Sequence, residues 1–441
     1  MNKRILACTM LLFAALILSG CAMRTVEEMY HVPKRSEEST HLQAAIDMGM
    51  AMLDYAAPLS GENQQAVQAA DLNGDGVDEY LVYAIGTSEK PMKIMILEQN
   101  DQGTYQIAEI IDSNGTAFEQ VEYVDVDGHP GNEIIVGRQV SDQVMRSVSV
   151  YTFANGNAEQ LLSVGYSKLL TCDMDDDGDR ELMVIQQGDS NADNGIAMIY
   201  SYHNGVMARS MEVELSEKPQ HIKRIMVSRL FNGSPAVYVA SSADGNNIVT
   251  DIFALREGRF VNVSTSNAFG TSVETLRNYY VYADDVDNDG IMELPNLITM
   301  EPVHDVWSED EQYLLRWYAM DIGGQEVDKL YSFHNFAGGW YVQLDSAWAT
   351  RVTVEQQGNT YTFYAWDVGY NSATELFTLY ALTGSDRQTR ATEDGRFALC
   401  QTEGVIYAAR LQPAADTFGV TEETLINDFH LIRQHWNMGE M

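Results

Sequence analysis

One acidic, glycine-broken stretch recurs along this chain, each time directly before an apolar run. The clear copies are Asp71-Leu72-Asn73-Gly74-Asp75-Gly76-Val77-Asp78-Glu79, Asp173-Met174-Asp175-Asp176-Asp177-Gly178-Asp179-Arg180-Glu181 and Asp285-Val286-Asp287-Asn288-Asp289-Gly290-Ile291-Met292-Glu293. A worn copy runs from Asp125 to Glu133, with His129 at the fifth position. A further copy, Arg229-Leu230-Phe231-Asn232-Gly233-Ser234-Pro235-Ala236-Val237, keeps turn residues but has no carboxylate. First positions at 71, 125, 173, 229 and 285 lie 54, 48, 56 and 56 residues apart. A period near fifty in a strand-rich chain points to an array of small sheets of propeller type. The 441 residues are too many for one ordinary core, which fits such an array or two domains.

The residue types in the stretch suit a hard cation. Calcium takes roughly six to eight oxygen ligands from a flexible loop that turns sharply at a glycine. Positions 1, 3 and 5 supply Asp71, Asn73 and Asp75, then Asp173, Asp175 and Asp177, then Asp285, Asp287 and Asp289. Position 7 supplies a main-chain carbonyl, at Val77, Asp179 and Ile291, and position 9 a closing carboxylate, at Glu79, Glu181 and Glu293. The worn copy retains Asp125, Asp127 and Glu133 and is the weaker site. An EF-hand would need a Glu at position 12 between two helices. Val82, Val184 and Asn296 stand there and strands follow, so that reading fails. The alternative is a solvated turn without metal. Three near-complete copies in matching strand contexts favour metal, about three structural calcium sites.

The first interval reads as four strands, Tyr80–Ile85, Met92–Glu98, Tyr105–Ile111 and Phe118–Val124, separated by Gly, Asn and Asp turns. The second reads as Glu133–Gly137, Ser147–Phe153, Gln160–Val164 and Leu169–Cys172. The strand after each loop is apolar at successive positions, as in Tyr80–Ile85, so both its faces are expected to be covered. Open sheet edges favour closure of the array. The segment Glu62–Ala70 matches the strand before each later loop and is expected to complete the last sheet. Before it, Leu42, Ile46, Met50 and Leu53 form one helical stripe that follows Ser39.

The loops and their period resemble VCBS/FG-GAP repeats, the calcium-bearing repeats also found in the integrin α-subunit head. The matching pattern is Asp-x-Asn/Asp-x-Asp-Gly followed by an apolar strand, over roughly 280 of the 441 residues. The resemblance implies a mainly β fold: a calcium-loop β-propeller of four-stranded blades over about residues 61–345, with five repeats recognised. It implies no single activity. Residues 346–441 break the period. Strands at Arg351–Glu355, Thr360–Trp366, Glu375–Leu382, Arg396–Cys400 and Val405–Leu411 are expected there. A helix capped by Thr421 should follow, with Leu425, Phe429, Ile432 and Trp436 as its stripe, giving a small α+β domain.

Residues 1–20 have the form of an export signal, with Lys3 and Arg4 before the apolar run Ile5–Leu18. Leu18-Ser19-Gly20-Cys21 resembles the lipobox of bacterial lipoproteins, which implies cleavage before Cys21 and its lipidation. Residues 21–38 then read as a tether and 39–60 as a short helical segment. The expected address is the outer side of the bacterial membrane, with the lipid as the membrane contact. A net charge of −37 argues against nucleic acid or anionic lipid as partners. Cys172 and Cys400 are expected to be separate thiols.

Recognised catalytic patterns are missing: Gly-x-Ser-x-Gly, the Walker loop and His-Glu-x-x-His do not occur. His430 and His435 would point to different helix faces, and His304-Asp305 is only a sequence-neighbour pair. Trp307, Trp317, Trp340, Trp348 and Trp366 cluster late in the chain, as core residues or as a sugar-stacking platform. The expectation is a lipid-anchored calcium-binding module for adhesion or scaffolding that recognises a protein or glycan. The alternatives are a polysaccharide lyase or hydrolase on the same scaffold, and a structural envelope component.

Overall fold

The apolar runs between turns form strands, and the strands hydrogen-bond in consecutive antiparallel groups. The computed structural model describes residues 37–100, 102–140, 145–154, 156–188, 194–244, 247–277, 281–300, 313–367 and 372–432. The export signal, Cys21, most of the tether, His304, Asp305, Trp307, His435 and Trp436 lie outside them. No helix among the described residues is long and apolar enough to cross a membrane. The chain divides into two compact units. One holds the described residues up to Ala57 with Gln65–Ala70 and Val77–Asn114; the other holds Pro58–Gln64, Asp71–Gly76 and the chain from Gly115.

Among its described residues the first unit has one sheet and one helix, α1 (Glu37–Gly49). Its strands are β1 (Asp54–Tyr55), β2 (Val67–Ala70), β3 (Glu79–Ile85), β4 (Met92–Gln99) and β5 (Tyr105–Ser113). Ala45 and Ile46 pack on Val82, Met95 and Leu97, with Leu42, Met50 and Leu53 at the margin. Gly49, the last residue of the helix, lets it approach the sheet closely, since a Cβ there would meet Met95 Sδ at 2.7 Å. The segment expected to complete the last sheet does otherwise. Val67–Ala70 pairs with β3, Ala70 opposite Glu79. A strand joined to its neighbour by one short loop reaches that neighbour with little loop-closure cost.

Among its described residues the second unit carries five sheets. Three are four-stranded and follow chain order: β6 (Ala117–Val124) to β9 (Asn157–Tyr166) through β7 (Glu133–Gln139) and β8 (Arg146–Ala154); β10 (Lys168–Cys172) to β13 (Val206–Glu214) through β11 (Glu181–Gln187) and β12 (Gly195–His203); and β14 (Ile222–Arg229) to β17 (Arg259–Asn262) through β15 (Pro235–Ala243) and β16 (Asn247–Arg256). Each sheet therefore begins one strand earlier than the intervals suggest, with the strand before the acidic loop. The loop is the hairpin connection within a sheet, not the junction between sheets: Val124 faces Glu133 and Cys172 faces Glu181. The strand after the second, third and fourth loops is covered on both faces, as expected, whereas the strand after the fifth is covered only at Glu293–Pro295, with Asn296 and Thr299 exposed. Ile134, Ile135 and Val136 are buried, as are Leu182–Ile185 and Ala236–Ala240. Each buried Val, Leu, Ile or Met among them contributes about 1.5–3 kcal/mol of apolar burial.

The fifth sheet is β18 (Glu293–Thr299), β19 (Tyr313–Met320), β20 (Glu326–Asn335) and β21 (Trp340–Leu344). The sixth is β22 (Val352–Gln357), β23 (Thr360–Asp367), β24 (Ser372–Leu382), β25 (Phe397–Gln401) and β26 (Ile406–Leu411), with β26 between β24 and β25. One hydrophobic core runs through both, from Phe333 and Trp340 to Phe363 and Phe377. Thr421 caps a helix as expected, accepting from Thr424 N–H, but the helix stops at Asp428. Phe429–Leu431 then extends as β27 beside Trp340–Val342. The expected stripe is thus split: Leu425 lies on the helix, Phe429 on a strand stacked 5.6 Å from Trp340. Open pairing groups on the edge of β21 draw the chain out of the helix.

A β-bulge recurs between the third and fourth strands of three sheets and at the corresponding pair β19–β20, at Ile96/Leu97, Val150/Tyr151, Ile199/Tyr200 and Trp317/Tyr318. Bulges of this kind increase local twist. Among the tryptophans, Trp317, Trp340 and Trp348 are buried in the core and Trp366 is half-buried. Cys172 and Cys400 are free thiols. Burial pushes the Cys172 thiol up to about 12. We expect iodoacetamide to label Cys172 on the order of a hundredfold slower than Cys400 in the folded chain, with the difference vanishing in denaturant. Equal labelling of both in buffer would contradict this packing.

Candidate metal centres

The loops owe their shape to position 1. The Asp71 carboxylate accepts the Gly74 N–H at 2.7 Å and the Gly76 N–H at 2.9 Å. Asp173 accepts from Asp176 at 2.7 Å and Gly178 at 3.1 Å, and Asp285 accepts from Gly290 at 2.9 Å. Two backbone positions are left-handed to allow this. Position 6 is Gly76, Gly178 or Gly290, and position 4 is Gly74, Gly128, Asp176 or Asn288, with φ between 60° and 75° at position 4. Glycine, Asn and Asp tolerate that region best. The residue types at position 4 were thus a signal in the sequence beyond the ligand pattern.

Position 2 is a second such signal. Leu72, Val126, Met174, Leu230 and Val286 are all buried, so each loop plugs its own base. The plug also places the closing acid. Val126, Met174 and Val286 donate their N–H to Oε2 of Glu133, Glu181 and Glu293, at 2.9, 3.0 and 3.0 Å. The repeat without carboxylates substitutes a main-chain bond, Leu230 N–H to Ser234 carbonyl at 2.9 Å. Its hairpin is shorter, since Arg229 already faces Pro235.

Among the described residues three acidic groups converge, each offering oxygens within 4.8 Å of one another: Asp125, Asp127 and Glu133; Asp173, Asp175 and Glu181; Asp285, Asp287 and Asp289. Burial, then the neighbouring aspartates, raises Glu181 and Asp175. Burial is also the main cause that pushes Glu133 up to about 7. Carboxylates desolvated side by side resist ionisation unless a cation joins them. Donor sets made wholly of hard oxygens fit a calcium- or magnesium-like ion. These loops can therefore hold a metal ion.

The other expected ligands lie as follows. Asp177 and Asp289 accept the N–H of Asp179 and Ile291, each at 2.9 Å, which fixes the peptide unit just before each position-7 residue. Asp71, Asn73 and Asp75 belong to the second unit, whereas Val77 is exposed and Glu79 buried in the first. In the worn loop, His129 Nδ1 lies 3.0 Å from Asp127 Oδ1.

The loops are also strung together within the second unit. Position 8 of one loop donates its N–H to the position-1 carbonyl of the loop before it: Asn132 to Asp71 at 3.0 Å, Arg180 to Asp125 at 3.4 Å and Met292 to Arg229 at 3.2 Å. Between the third and fourth loops a side chain makes the link. Arg229 grips Asp176 through both guanidinium nitrogens, at 2.9 and 2.8 Å. Nothing local in the sequence announces this chain of contacts.

Away from the loops, a cavity of about 80 Å³ is lined by Asp345, Trp348, Phe418, Thr424 and Asp428. Asp345 is occupied as a helix cap, accepting from Ala347 N–H at 2.7 Å. Asp251 is a buried strut, held by Ser216, Asn262 and Ser272 at 2.6–2.9 Å. Both acids serve the fold.

No protein-family model matches the chain, and no curated protein matches it. Among solved structures it is similar to a structural-genomics target from Lactobacillus plantarum. That match is at 12% identity over 72% of this chain and 85% of the other, with a TM-score of 0.27. So loose an overlap bears on neither fold nor site.

Proposed function

We propose that this chain is a lipid-anchored, calcium-braced β-propeller on the outer face of the bacterial membrane, of the VCBS/FG-GAP type, that binds a protein or glycan. The observation that carries the reading is the string of loops. Converging oxygen donors recur at one end of successive sheets, and each loop is hydrogen-bonded to the next. An ion at such a point neutralises acids that would otherwise repel, and holds the hairpin end rigid. A rigid, repeated scaffold with variable connections is a form suited to display of a binding surface. Calcium is the ion of choice because the ligands are all hard oxygens on flexible loops and calcium is abundant outside cells.

The address rests on Leu18-Ser19-Gly20-Cys21. Replacing Cys21 by Ser should move the protein from the membrane pellet to the soluble fraction; retention in the pellet would refute the anchor. The binding role is tested with the lipid-free chain from residue 39, used to capture glycans and surface proteins with calcium or with EGTA. Calcium-dependent capture supports the reading. Release of sugar fragments from an acidic polysaccharide would replace it with the enzymatic one.

A further inference from the structure

The fifth loop differs from the second and third in holding a half-buried ammonium among its carboxylates. Lys329, on β20, places Nζ 3.3 Å from Asp287 Oδ2 and 3.7 Å from Glu293 Oε1, and donates to Asp289 Oδ2. Its side chain is 13% exposed and that of Glu293 is 0% exposed. Glu293 Oε1 is itself buried and accepts no hydrogen bond. The two acids beside Lys329 on its strand are engaged elsewhere: Glu326 and Asp328 both pair with Arg316. The second and third loops keep their cations at the rim. His129, 67% exposed, sits on Asp127, and Arg229 holds Asp176, which is at position 4 and is no ligand.

We propose that the fifth loop carries its own cation. The Lys329 ammonium takes the place that a divalent ion takes in the acid-lined loops, so this loop closes without metal and conceals a latent divalent-cation site. An ammonium has three donors, and three carboxylates surround it. It cannot share the space with calcium, whose ligand oxygens must close to about 2.3–2.6 Å around the ion. The consequence is a graded molecule: the fifth loop stays formed when calcium is withdrawn, while the second and third loosen. On this reading the loop of Asp285, Asp287, Asp289, Ile291 and Glu293, expected as calcium ligands, instead surrounds the ammonium in the resting chain. The proposal rests on the calcium reading of the other loops only for the comparison.

The test counts calcium bound to the full-length chain by equilibrium dialysis, for wild type, K329M, D289N and K329M/D289N. K329M should bind about one more equivalent than wild type, and the gain should vanish in K329M/D289N. D289N alone should bind as many as wild type. No gain in K329M overturns the proposal, as does loss of an equivalent in D289N. A wild-type chain that binds no calcium sinks the calcium reading of the other loops, but leaves the gain in K329M still required. Should K329M fail to fold, amine acylation of the wild-type chain decides. Lys329 should be equally protected in calcium and in EGTA, and acylation enhanced by calcium would show that the metal displaces it.

Discussion

Chelating divalent cations lowers the melting temperature of this chain by about 5–10 °C. An ion that binds only the folded state adds about 2.7 kcal/mol when its free concentration is a hundredfold above Kd. A change of 1 kcal/mol moves the melting temperature by about 2–4 °C in chains of some 150–250 residues and by about half that in one of this length, and two filled loops act together. Asp173→Ala should reproduce part of the fall in calcium and show a smaller further fall in EGTA. The effect should also grow with pH. Burial keeps the Glu133 carboxyl protonated up to about 7, above its ordinary 4.5. The metal-free folded chain therefore holds a proton that the unfolded chain has released, so its stability falls as pH rises across that window. Calcium replaces the proton and removes the fall. A melting curve that EGTA leaves unchanged at pH 7.5 would end the metal assignment.

Gly131→Ala should destabilise the second unit by about 3–5 kcal/mol, far more than a turn glycine normally costs. Gly131 has φ +118°, and a Cβ there would stand 2.4 Å from the Leu72 carbonyl oxygen and 3.1 Å from the Gly74 nitrogen. Both are backbone atoms of the neighbouring loop and cannot swing aside. Gly74 returns the constraint, since its own Cβ would meet Pro130 at 2.5 Å. The strain of a rare backbone region is about 1–3 kcal/mol, and forced overpacking adds a similar amount. Gly258→Ala is the control: φ is +72°, with nothing within 4 Å of the built Cβ. It should cost only the conformational part, about 1–2 kcal/mol. Urea unfolding in saturating calcium measures both. Equal losses would mean that the loops do not bear on one another.

Much of the fold could be read from the residues because its rules are short-range. The expected strands from Tyr80 to Leu411 agree with observed ones to within a few residues, since apolar runs between glycine and asparagine turns leave few alternatives. The loops were legible for the same reason: side chains at positions 1 and 3 reach one ion only when a left-handed residue folds the backbone between them. The frame of the sheets was not legible. Phe118–Val124 follows one set of strands and precedes another with equal spacing, and only hydrogen bonding to Glu133–Gln139 assigns it. The end of the last helix at Asp428 was also hidden, because the pull on Phe429 comes from an edge strand almost ninety residues earlier in the chain.

By itself the sequence determined the left-handed turns of each acidic loop, the apolar strand that follows and the repeat that multiplies both. These depend on residues within about ten positions of one another, where backbone sterics and side-chain reach decide. Tertiary structure alone decided how the loops lean on one another through Asn132, Arg180 and Met292. It also decided that Lys329 enters a loop 40 residues before it. Such contacts follow from the twist and stacking of whole sheets, which bring together groups that no local pattern relates.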